Sequence, residues 1–210
     1  ISPGLWLDLG TGTGLLADSL EELNPPQSVI RIDCSRMMLA QHPKKSSIRL
    51  WDLNKGIPTN FSQSPNLITS SFALHWLNDP TTRLKEWFSA LASGGWLALA
   101  VPVQGSFAEW HKAASLAKVN CTAMDFPSHS SLIQSLGKCN IQYHELKSIT
   151  QTAPSVYSLL KPLVKIGAQA THHQPLRISE WRRLREQWPD CRNTPKKRLT
   201  WIVQILLAQK

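Results

Sequence analysis

The stretch "LDLGTGTG", residues 7–14, places three alternate glycines between a short apolar run and an amphipathic segment. This order predicts a buried strand, a tight turn and a helix, in which glycine lets the backbone approach a ligand and adopt positive φ. The spacing departs from the G-x-G-x-x-G dinucleotide fingerprint, because Leu15 stands in place of the third glycine, and no Gly-Lys-Ser/Thr of a P-loop follows. We therefore expect a ligand site of another kind.

Two aspartates narrow the choice of ligand. Asp8 directly precedes the turn, where a carboxylate facing the ligand suits a cation better than a pyrophosphate. Asp33 ends the second predicted strand, the place where an acidic residue holds ribose hydroxyls in nucleotide-binding α/β folds, although a helix cap is the alternative reading. Together they indicate a nucleoside that bears positive charge, and S-adenosylmethionine, a sulfonium with an amino group, fits.

The rest of the chain alternates apolar runs with amphipathic stretches, which predicts an α/β fold with a mostly parallel sheet covered by helices on both faces. We expect strands at residues 5–9, 29–32, 48–50, 67–71, 96–101, 141–149 and 199–207. We expect helices at residues 14–23, 36–41, 80–93, 107–118, 128–136, 155–166 and 181–188. Asp79 caps the third helix, Pro80 opens it and Gly94 stops it. One domain is predicted over residues 1–210, with a core at about 1–103 and 139–210 and a helical insertion over the active site at about 104–138.

Composition excludes several classes of protein. Hydrophobic residues make up 42% and charged residues 18% of the 210 residues, an ordinary globular balance. The four cysteines form no C-x-x-C pair, so we expect free thiols in a reducing compartment and no metal site. The longest apolar runs fall short of the roughly 20 residues that span a bilayer, so a cytoplasmic protein is predicted. Because the chain begins at Ile1, a few residues before its first strand, we expect natural sequence upstream.

Positive charge is concentrated near the end of the chain. The formal net charge is +9, and residues 177–198 hold eight basic side chains against three acidic ones. Such a cluster attracts nucleic acid, an anionic membrane surface or an acidic protein, while a solvated surface is the equally simple alternative.

Two motifs resemble the class I S-adenosylmethionine-dependent methyltransferases, which have a Rossmann-like fold with a seven-stranded sheet. "LDLGTGTG" resembles their first motif, and "IDCSRMML", residues 32–39, resembles their D-x-S-x-x-M-L stretch. The resemblance implies that Asp33 binds the ribose, that Cys34 and Met38 pack near the adenine, and that Asp52 and Leu53 contact the adenine; simple core filling is the alternative for Met38. The expected cofactor-binding residues are Asp8, Gly10, Thr11, Gly12, Gly14, Asp33, Cys34, Met38, Asp52, Leu53 and Ser71.

Later motifs resemble one group within that superfamily, the malonyl-acyl carrier protein methyltransferases, or BioC family, of biotin synthesis. They are "SSFALHWLNDP" (70–80), "VPVQGSFAEWHKA" (101–113), "FPSHSSLIQSL" (126–136), "LLKPLVKIGA" (159–168) and "RLTWIVQILLA" (198–208). The resemblance covers nearly the whole chain in order. Departures are His75 for Gln, Trp201 for Tyr, Asn66 for an acid, and the lack of an N-terminal segment that helps cover the cofactor.

The resemblance implies methyl transfer to the carboxylate of a malonyl thioester on an acyl carrier protein. Carboxyls titrate near pH 4, so no general base is expected, and the enzyme must align the reactants and exclude water. We expect His75 and Trp76 to position the acceptor, with Phe72, Phe107 and Gln104 around it. For His75, a packed and hydrogen-bonded histidine without contact to the acceptor is the equal alternative. The surface expected to dock the acidic carrier protein consists of Lys161, Lys165, Arg177, Arg182, Arg183 and Arg185.

Three alternative functions of the protein remain open. A methyltransferase of a small free acid, as in the trans-aconitate relatives, would need no carrier-protein surface. A nucleic-acid methyltransferase would suit the net charge, but "SSFAL" differs from the N-P-P-Tyr type that grips a flipped base, and no RNA-binding module is visible. A non-catalytic methyltransferase-fold protein would use the basic cluster only to bind a partner.

Overall fold

The computed structural model of the protein describes residues 1–137, 140–165, 174–191 and 194–210. Seven strands form one sheet in the order β3-β2-β1-β4-β5-β7-β6. The strands are β1 (Trp6–Leu9), β2 (Val29–Asp33), β3 (Ile48–Leu50), β4 (Leu67–Ser71), β5 (Trp96–Pro102), β6 (Ile141–Ala153) and β7 (Lys197–Gln209). Strands β3, β2, β1, β4 and β5 pair in parallel. The predicted α/β fold with a mostly parallel seven-stranded sheet is confirmed.

The helices of the described residues follow the predicted order. They are α1 (Leu15–Leu23), α2 (Arg36–Leu39), α3 (Pro80–Ala90), α4 (Ala108–Ala117), α5 (His129–Leu136), α6 (Val156–Lys165) and α7 (Ile178–Glu186). Two 3₁₀ helices, Leu53–Lys55 and Leu74–Trp76, were not predicted. Each follows the carboxyl end of a parallel strand.

The start of α3 was predicted correctly and its end was wrong. Asp79 caps the helix by accepting a hydrogen bond from the Thr82 amide at 3.0 Å, and Pro80 occupies the first turn. The helix ends at Ala90 because Leu91 turns to extended backbone, with its side chain 2% exposed. Gly94 therefore does not stop the helix; it lies in the turn before β5, where its φ is +73°.

The chain divides into two compact units. The first unit comprises residues 1–103, 127–146 and 204–210, and the second comprises 104–126 and 147–203. In the first unit all four residues of β1 are buried, and Leu84 and Trp87 of α3 are 0% exposed. The proposed division into a core and a helical insertion stays a prediction.

In the second unit the core is built from aromatic rings. The ring of Phe107 lies 4.4 Å from that of Trp201, 5.1 Å from that of Phe126 and 6.1 Å from that of Trp110, measured between centroids. Trp188 packs on Trp110 at 5.7 Å and donates its indole N–H to the Arg198 carbonyl. These contacts join α4, the end of α7 and β7.

The order of the strands in the first unit creates a place for a ligand. Strands β2 and β4 lie on opposite sides of β1. The strands that follow β1 therefore extend the sheet first towards one edge, through β2 and β3, and then towards the other, through β4 and β5. In open α/β sheets, ligands bind at the carboxyl ends of the strands at such a switch point. The glycine-rich turn, Asp33 and Ser71 all stand at this edge.

Candidate functional site

The glycine-rich turn is held against the neighbouring strand by backbone hydrogen bonds. The amides of Gly10 and Thr11 both donate to the Ile32 carbonyl of β2, at 2.8 and 3.0 Å. The Gly14 amide donates to the Thr11 carbonyl at 2.9 Å, and Gly14 then caps α1 without a side-chain hydrogen bond. The turn therefore has a fixed shape, and it leads directly into the N-terminus of a helix, where the backbone favours anionic or polar ligand groups.

The glycines of the turn serve different purposes. A Cβ on Gly10 would stand 2.1 Å from the Cβ of Ala73, so this glycine permits close packing against the segment after β4. A Cβ on Gly12 would meet nothing within 4 Å, although its φ is +56°. The space beside Gly12 is thus open on the side where a ligand is expected to lie.

Asp8 connects the turn to strand β4 through its buried carboxylate. Its side chain is 1% exposed, and its two oxygens accept hydrogen bonds from the hydroxyls of Thr11, at 2.7 Å, and Thr69, at 3.1 Å. Burial raises the pKa of Asp8 above its usual value, while the two hydroxyls act in the opposite direction. The contacts show that Asp8 links the turn to β4, whereas the idea that this carboxylate faces a cationic ligand stays a prediction.

Asp33 connects the end of β2 to the turn. One carboxylate oxygen accepts the Gly12 amide at 2.9 Å, and the other accepts the Ser35 amide at 2.8 Å. The side chain remains half-buried, and each carboxylate oxygen can accept a second hydrogen bond. Asp33 thus lies beside the open space at Gly12, and ribose binding by this carboxylate stays a prediction.

The remaining predicted cofactor residues lie at or just after the carboxyl ends of the parallel strands. Cys34 is exposed as a residue, but its thiol is partly buried, and this partial burial together with the neighbouring Asp33 charge raises the thiol pKa. Met38 is half-buried in α2, which Ser35 caps. Asp52 caps the 3₁₀ helix Leu53–Lys55 through the Asn54 amide at 2.9 Å, and Leu53 is 6% exposed. Ser71 is exposed at the end of β4, and adenine contacts by these residues stay predictions.

Three aromatic side chains follow β4. Phe72 has a left-handed backbone with φ of 54°, and both it and Trp76 are 38% exposed. His75 lies between them, 8% exposed, with ring centroids 6.4 Å from Phe72 and 5.1 Å from Trp76. Burial lowers the pKa of His75 to about 4, so its ring is neutral at physiological pH. The structure therefore brings these three predicted acceptor residues together.

Gln104 and Phe107 belong to the second unit. Gln104 is exposed, whereas Phe107 is 3% exposed and surrounded by the aromatic core described above. A nearby Glu109, 6% exposed, accepts the amide and hydroxyl of Thr200 at 3.0 and 2.7 Å. Glu109 thus fastens α4 to β7, and the predicted role of Phe107 and Gln104 around the acceptor stays a prediction.

The predicted carrier-protein surface is largely exposed. Arg182, Arg183 and Arg185 project from α7, whose opposite side buries Leu184 at 0% exposure. Arg177 directly precedes this helix, and its amide donates to the carboxylate of Glu180 at 2.8 Å. Lys161 is exposed on α6, and the side chain of Lys165 lies outside the described residues. Docking of a partner on these residues stays a prediction.

Sequence reasoning missed two buried polar residues behind the turn. Arg31 is 1% exposed in the middle of β2, and its guanidinium pairs with Asp18 and Glu21 of α1, each at 2.6 Å. His42 is 9% exposed and contacts both Arg31 and the turn. A charged residue inside an apolar strand was the available signal, because a buried cation requires a partner.

The geometry fits the S-adenosylmethionine that the sequence predicts. Asp33 offers carboxylate oxygens at the edge of the sheet, and the open space at Gly12 admits a ligand close to the backbone. The aromatic side chains of Phe72, His75 and Trp76 follow the neighbouring strand β4 at the same edge. Within the described ranges, no helix has the length and apolar character required to cross a bilayer.

Comparison with known proteins agrees with this geometry. A family model described as a methyltransferase domain matches residues 1–153. Among solved structures, a putative methyltransferase from Bacillus halodurans covers 100% of this chain and 94% of its own, with a TM-score of 0.66 at 13% identity. At that identity the likeness concerns the fold.

Three curated relatives differ in how much of the chain they match. The biotin biosynthesis bifunctional protein BioCD of Bordetella avium is 30% identical over 87% of this chain, which spans only 39% of that protein. A malonyl-[acyl-carrier protein] O-methyltransferase of Marinomonas is 27% identical over 97% of this chain and 79% of its own. A trans-aconitate 2-methyltransferase of Delftia acidovorans is 31% identical over 46% of this chain and 37% of its own.

Proposed function

Since this chain belongs to the methyltransferase domain family and is an S-adenosylmethionine-dependent methyltransferase, we propose that it esterifies the free carboxylate of a malonyl thioester carried by an acyl carrier protein. The observation that carries the proposal is the extent of similarity. The Marinomonas malonyl-[acyl-carrier protein] methyltransferase aligns with 97% of the chain, beyond the cofactor-binding half, whereas the trans-aconitate enzyme aligns with 46%. A role in the early steps of biotin synthesis and a cytoplasmic location belong to the same proposal.

The cofactor site assigns distinct tasks to its residues. Bound S-adenosylmethionine supplies an electrophilic methyl group on a sulfonium. Asp33 would hold the ribose hydroxyls while it continues to bind the Gly12 amide, and the glycine-rich turn would approach the cofactor through its backbone. Asp8, which links the turn to Thr69, would keep this surface fixed during turnover.

The acceptor requires alignment and a dry environment, since a malonyl carboxylate is already ionised at neutral pH. Phe72 and Trp76 supply exposed aromatic surface after β4. His75 between them is neutral because burial lowers its pKa to about 4. A neutral ring can orient a carboxylate or thioester by one hydrogen bond without the ion pairing that would stabilise the charged reactant.

Charge complementarity supports the carrier-protein part of the proposal. Acyl carrier proteins are strongly acidic as a class, and the exposed arginines of α7 offer several positive charges on one short helix. Arginine is the preferred partner for carboxylates, because its planar guanidinium donates two parallel hydrogen bonds. A small free acid would gain little from this surface.

Product identity tests the proposal. We expect intact-mass analysis to show one added methyl group on malonyl-acyl carrier protein after incubation with S-adenosylmethionine, and alkali to release that methyl group as methanol, as a methyl ester does and a carbon-bound methyl group does not. Acetyl-acyl carrier protein, which lacks the free carboxylate, is the matched control and should gain nothing. Methylation of both carrier forms, or a methyl group that resists alkali, would contradict carboxyl esterification.

A further inference from the structure

Behind the glycine-rich turn lies a row of buried polar side chains. Thr69 of β4, Asp8 of β1 and Arg31 of β2 stand in matching register on three adjacent parallel strands. Registered residues of parallel strands point to the same face of a sheet, so the three side chains form one row beneath the turn. All three are 1 to 2% exposed. Burial at this level requires that each polar group has a partner.

The terminal nitrogens of Arg31 satisfy this requirement by joining α1 to His42, whereas its Nε has no hydrogen-bond partner among the described residues. One terminal nitrogen, Nη2, contacts Glu21 at 2.6 Å, and the other, Nη1, contacts both Asp18 at 2.6 Å and His42 Nδ1 at 3.1 Å. The two hydrogens of Nη1 are therefore directed to two different acceptors. Since arginine can only donate, Nδ1 of His42 must accept.

The opposite nitrogen of His42 reaches the turn. Nε2 lies 2.9 Å from the Gly12 carbonyl oxygen, which can only accept, so Nε2 carries the proton. Both contacts are satisfied by a single neutral tautomer. His42 thus links Arg31, which is bound by two carboxylates of α1, to the Gly12 carbonyl of the turn.

Gly12 is thereby held from both sides. Its amide donates to Asp33 at 2.9 Å, and its carbonyl accepts from His42 at 2.9 Å. Gly14 leaves room for this arrangement, because a Cβ there would stand 2.6 Å from the His42 ring and 2.9 Å from Arg31 Nη1. The residue held in this way, Gly12, is the one beside the open space.

We propose that His42, which packs against Arg31, is a positioning residue for the cofactor: it fixes the Gly12 carbonyl and so preorganises the turn to bind S-adenosylmethionine. His42 does not need to touch the cofactor. Preorganisation raises affinity because the turn loses less conformational freedom when the ligand binds. The proposal concerns the cofactor alone and is independent of which acid accepts the methyl group.

Two substitutions of His42 separate the contact with Gly12 from the contact with Arg31. In His42→Gln the longer side chain places an amide N–H where Nε2 stands and can still donate to the Gly12 carbonyl. In His42→Asn the shorter side chain reaches the Nδ1 position, so the contact with Arg31 is retained and Gly12 is released. Leu84→Ala, on the buried side of α3, is the control for a general loss of stability.

Calorimetry with S-adenosylmethionine alone measures the outcome. We expect Kd to rise about tenfold in His42→Asn and to stay within about threefold of the parent in His42→Gln, with Leu84→Ala unchanged. In the cofactor-free chain, hydrogen exchange of the Gly12 amide should accelerate in His42→Asn only. Equal Kd values for the Asn and Gln variants, or an equal loss in Leu84→Ala, would overturn the proposal.

The parent chain offers a second test that needs no substitution. Nitrogen NMR of the imidazole rings should show His42 with a proton on Nε2 and none on Nδ1. The proton on Nε2 should exchange slowly with water because it is held by the Gly12 carbonyl. The opposite tautomer, or rapid exchange at Nε2, would show that the ring does not hold the turn.

Discussion

The turn region, residues 7–14 with Asp33, and the basic surface of α7 differ in burial and in how their polar groups are held. Around the turn, short hydrogen bonds between buried or half-buried groups fix individual atoms. On α7 the arginines are exposed, and the docking proposed there would depend on their charge and on hydrogen bonds to carboxylates. Exposed charges are screened by salt over about 10 Å at 0.1 M, while buried contacts are screened much less. The cofactor site should therefore respond to single atoms, and the basic surface to net charge and ionic strength.

The largest effect is expected from adding one methyl group within the turn. Gly10→Ala should lower the free energy of unfolding by about 3 kcal/mol, because a strained positive φ is combined with overpacking against Ala73. Gly12→Ala should cost only about 1 to 2 kcal/mol, since its Cβ meets open space. Denaturant unfolding measures both values. Calorimetry should show the reverse order for lost cofactor affinity among the folded variants, and equal stability losses would contradict this account of the turn.

The next largest effect concerns Asp33. Asp33→Ala removes a carboxylate predicted to bind the ribose and releases the amides of Gly12 and Ser35. We expect cofactor affinity to fall by about 1.5 to 3 kcal/mol, the range for hydrogen bonds to a charged group. Calorimetry at two salt concentrations should give the same loss at each. Parent-like binding by Asp33→Ala would show that the cofactor lies elsewhere.

His75 predicts a pH dependence of stability. Its folded pKa of about 4 lies below the unfolded value of 6.5, so the unfolded chain binds the extra proton and stability is lost as the pH falls from 6.5 towards 4. Between pH 7 and pH 5 this group should cost about 2 kcal/mol in unfolding free energy. Denaturant unfolding of the parent and His75→Gln at both pH values isolates the effect. Identical pH dependence in the two proteins would argue against a buried neutral ring.

The smallest effect should come from the basic surface and should depend on salt. Reversing Arg182 and Arg183 to Glu is expected to lower kcat/KM for malonyl-acyl carrier protein about tenfold at low salt and little at high salt. The matched control reverses Lys44 and Lys45, which are exposed in the first unit. Cofactor affinity should remain at the parent value in both variants. An equal loss in the control would assign the effect to net charge instead of to this surface.

Local sequence patterns predicted the fold where a residue's neighbours in the chain decide its structure. Sequence patterns located all seven strands, although β6 continues to Ala153, beyond its predicted end at residue 149. The capping residue Asp79 correctly marked the start of α3. The end of α3 was missed because burial of Leu91, a tertiary effect, turned the chain before Gly94. Prediction by local pattern therefore works best at strand cores and helix starts.

The candidate site was only partly predictable for the same reason. Asp33 and the glycines follow from spacing along the chain, since a strand, a turn and a helix are contiguous. His42 lies in a polar segment that reads as an ordinary loop, and its function depends on Arg31 and Gly12, which the fold brings to it. The charge of Arg31 within β2 was a visible signal, but its partners are fixed by the packing of α1.

The choice of methyl acceptor is the central claim and can be measured directly. Methyl transfer from labelled S-adenosylmethionine to malonyl-acyl carrier protein, malonyl-coenzyme A and trans-aconitate should be compared side by side as kcat/KM. We predict the highest value for the carrier-protein substrate, with an advantage over malonyl-coenzyme A that shrinks as salt increases. A preference for trans-aconitate, or transfer to none of the three, would contradict the proposed acceptor while leaving the cofactor site intact.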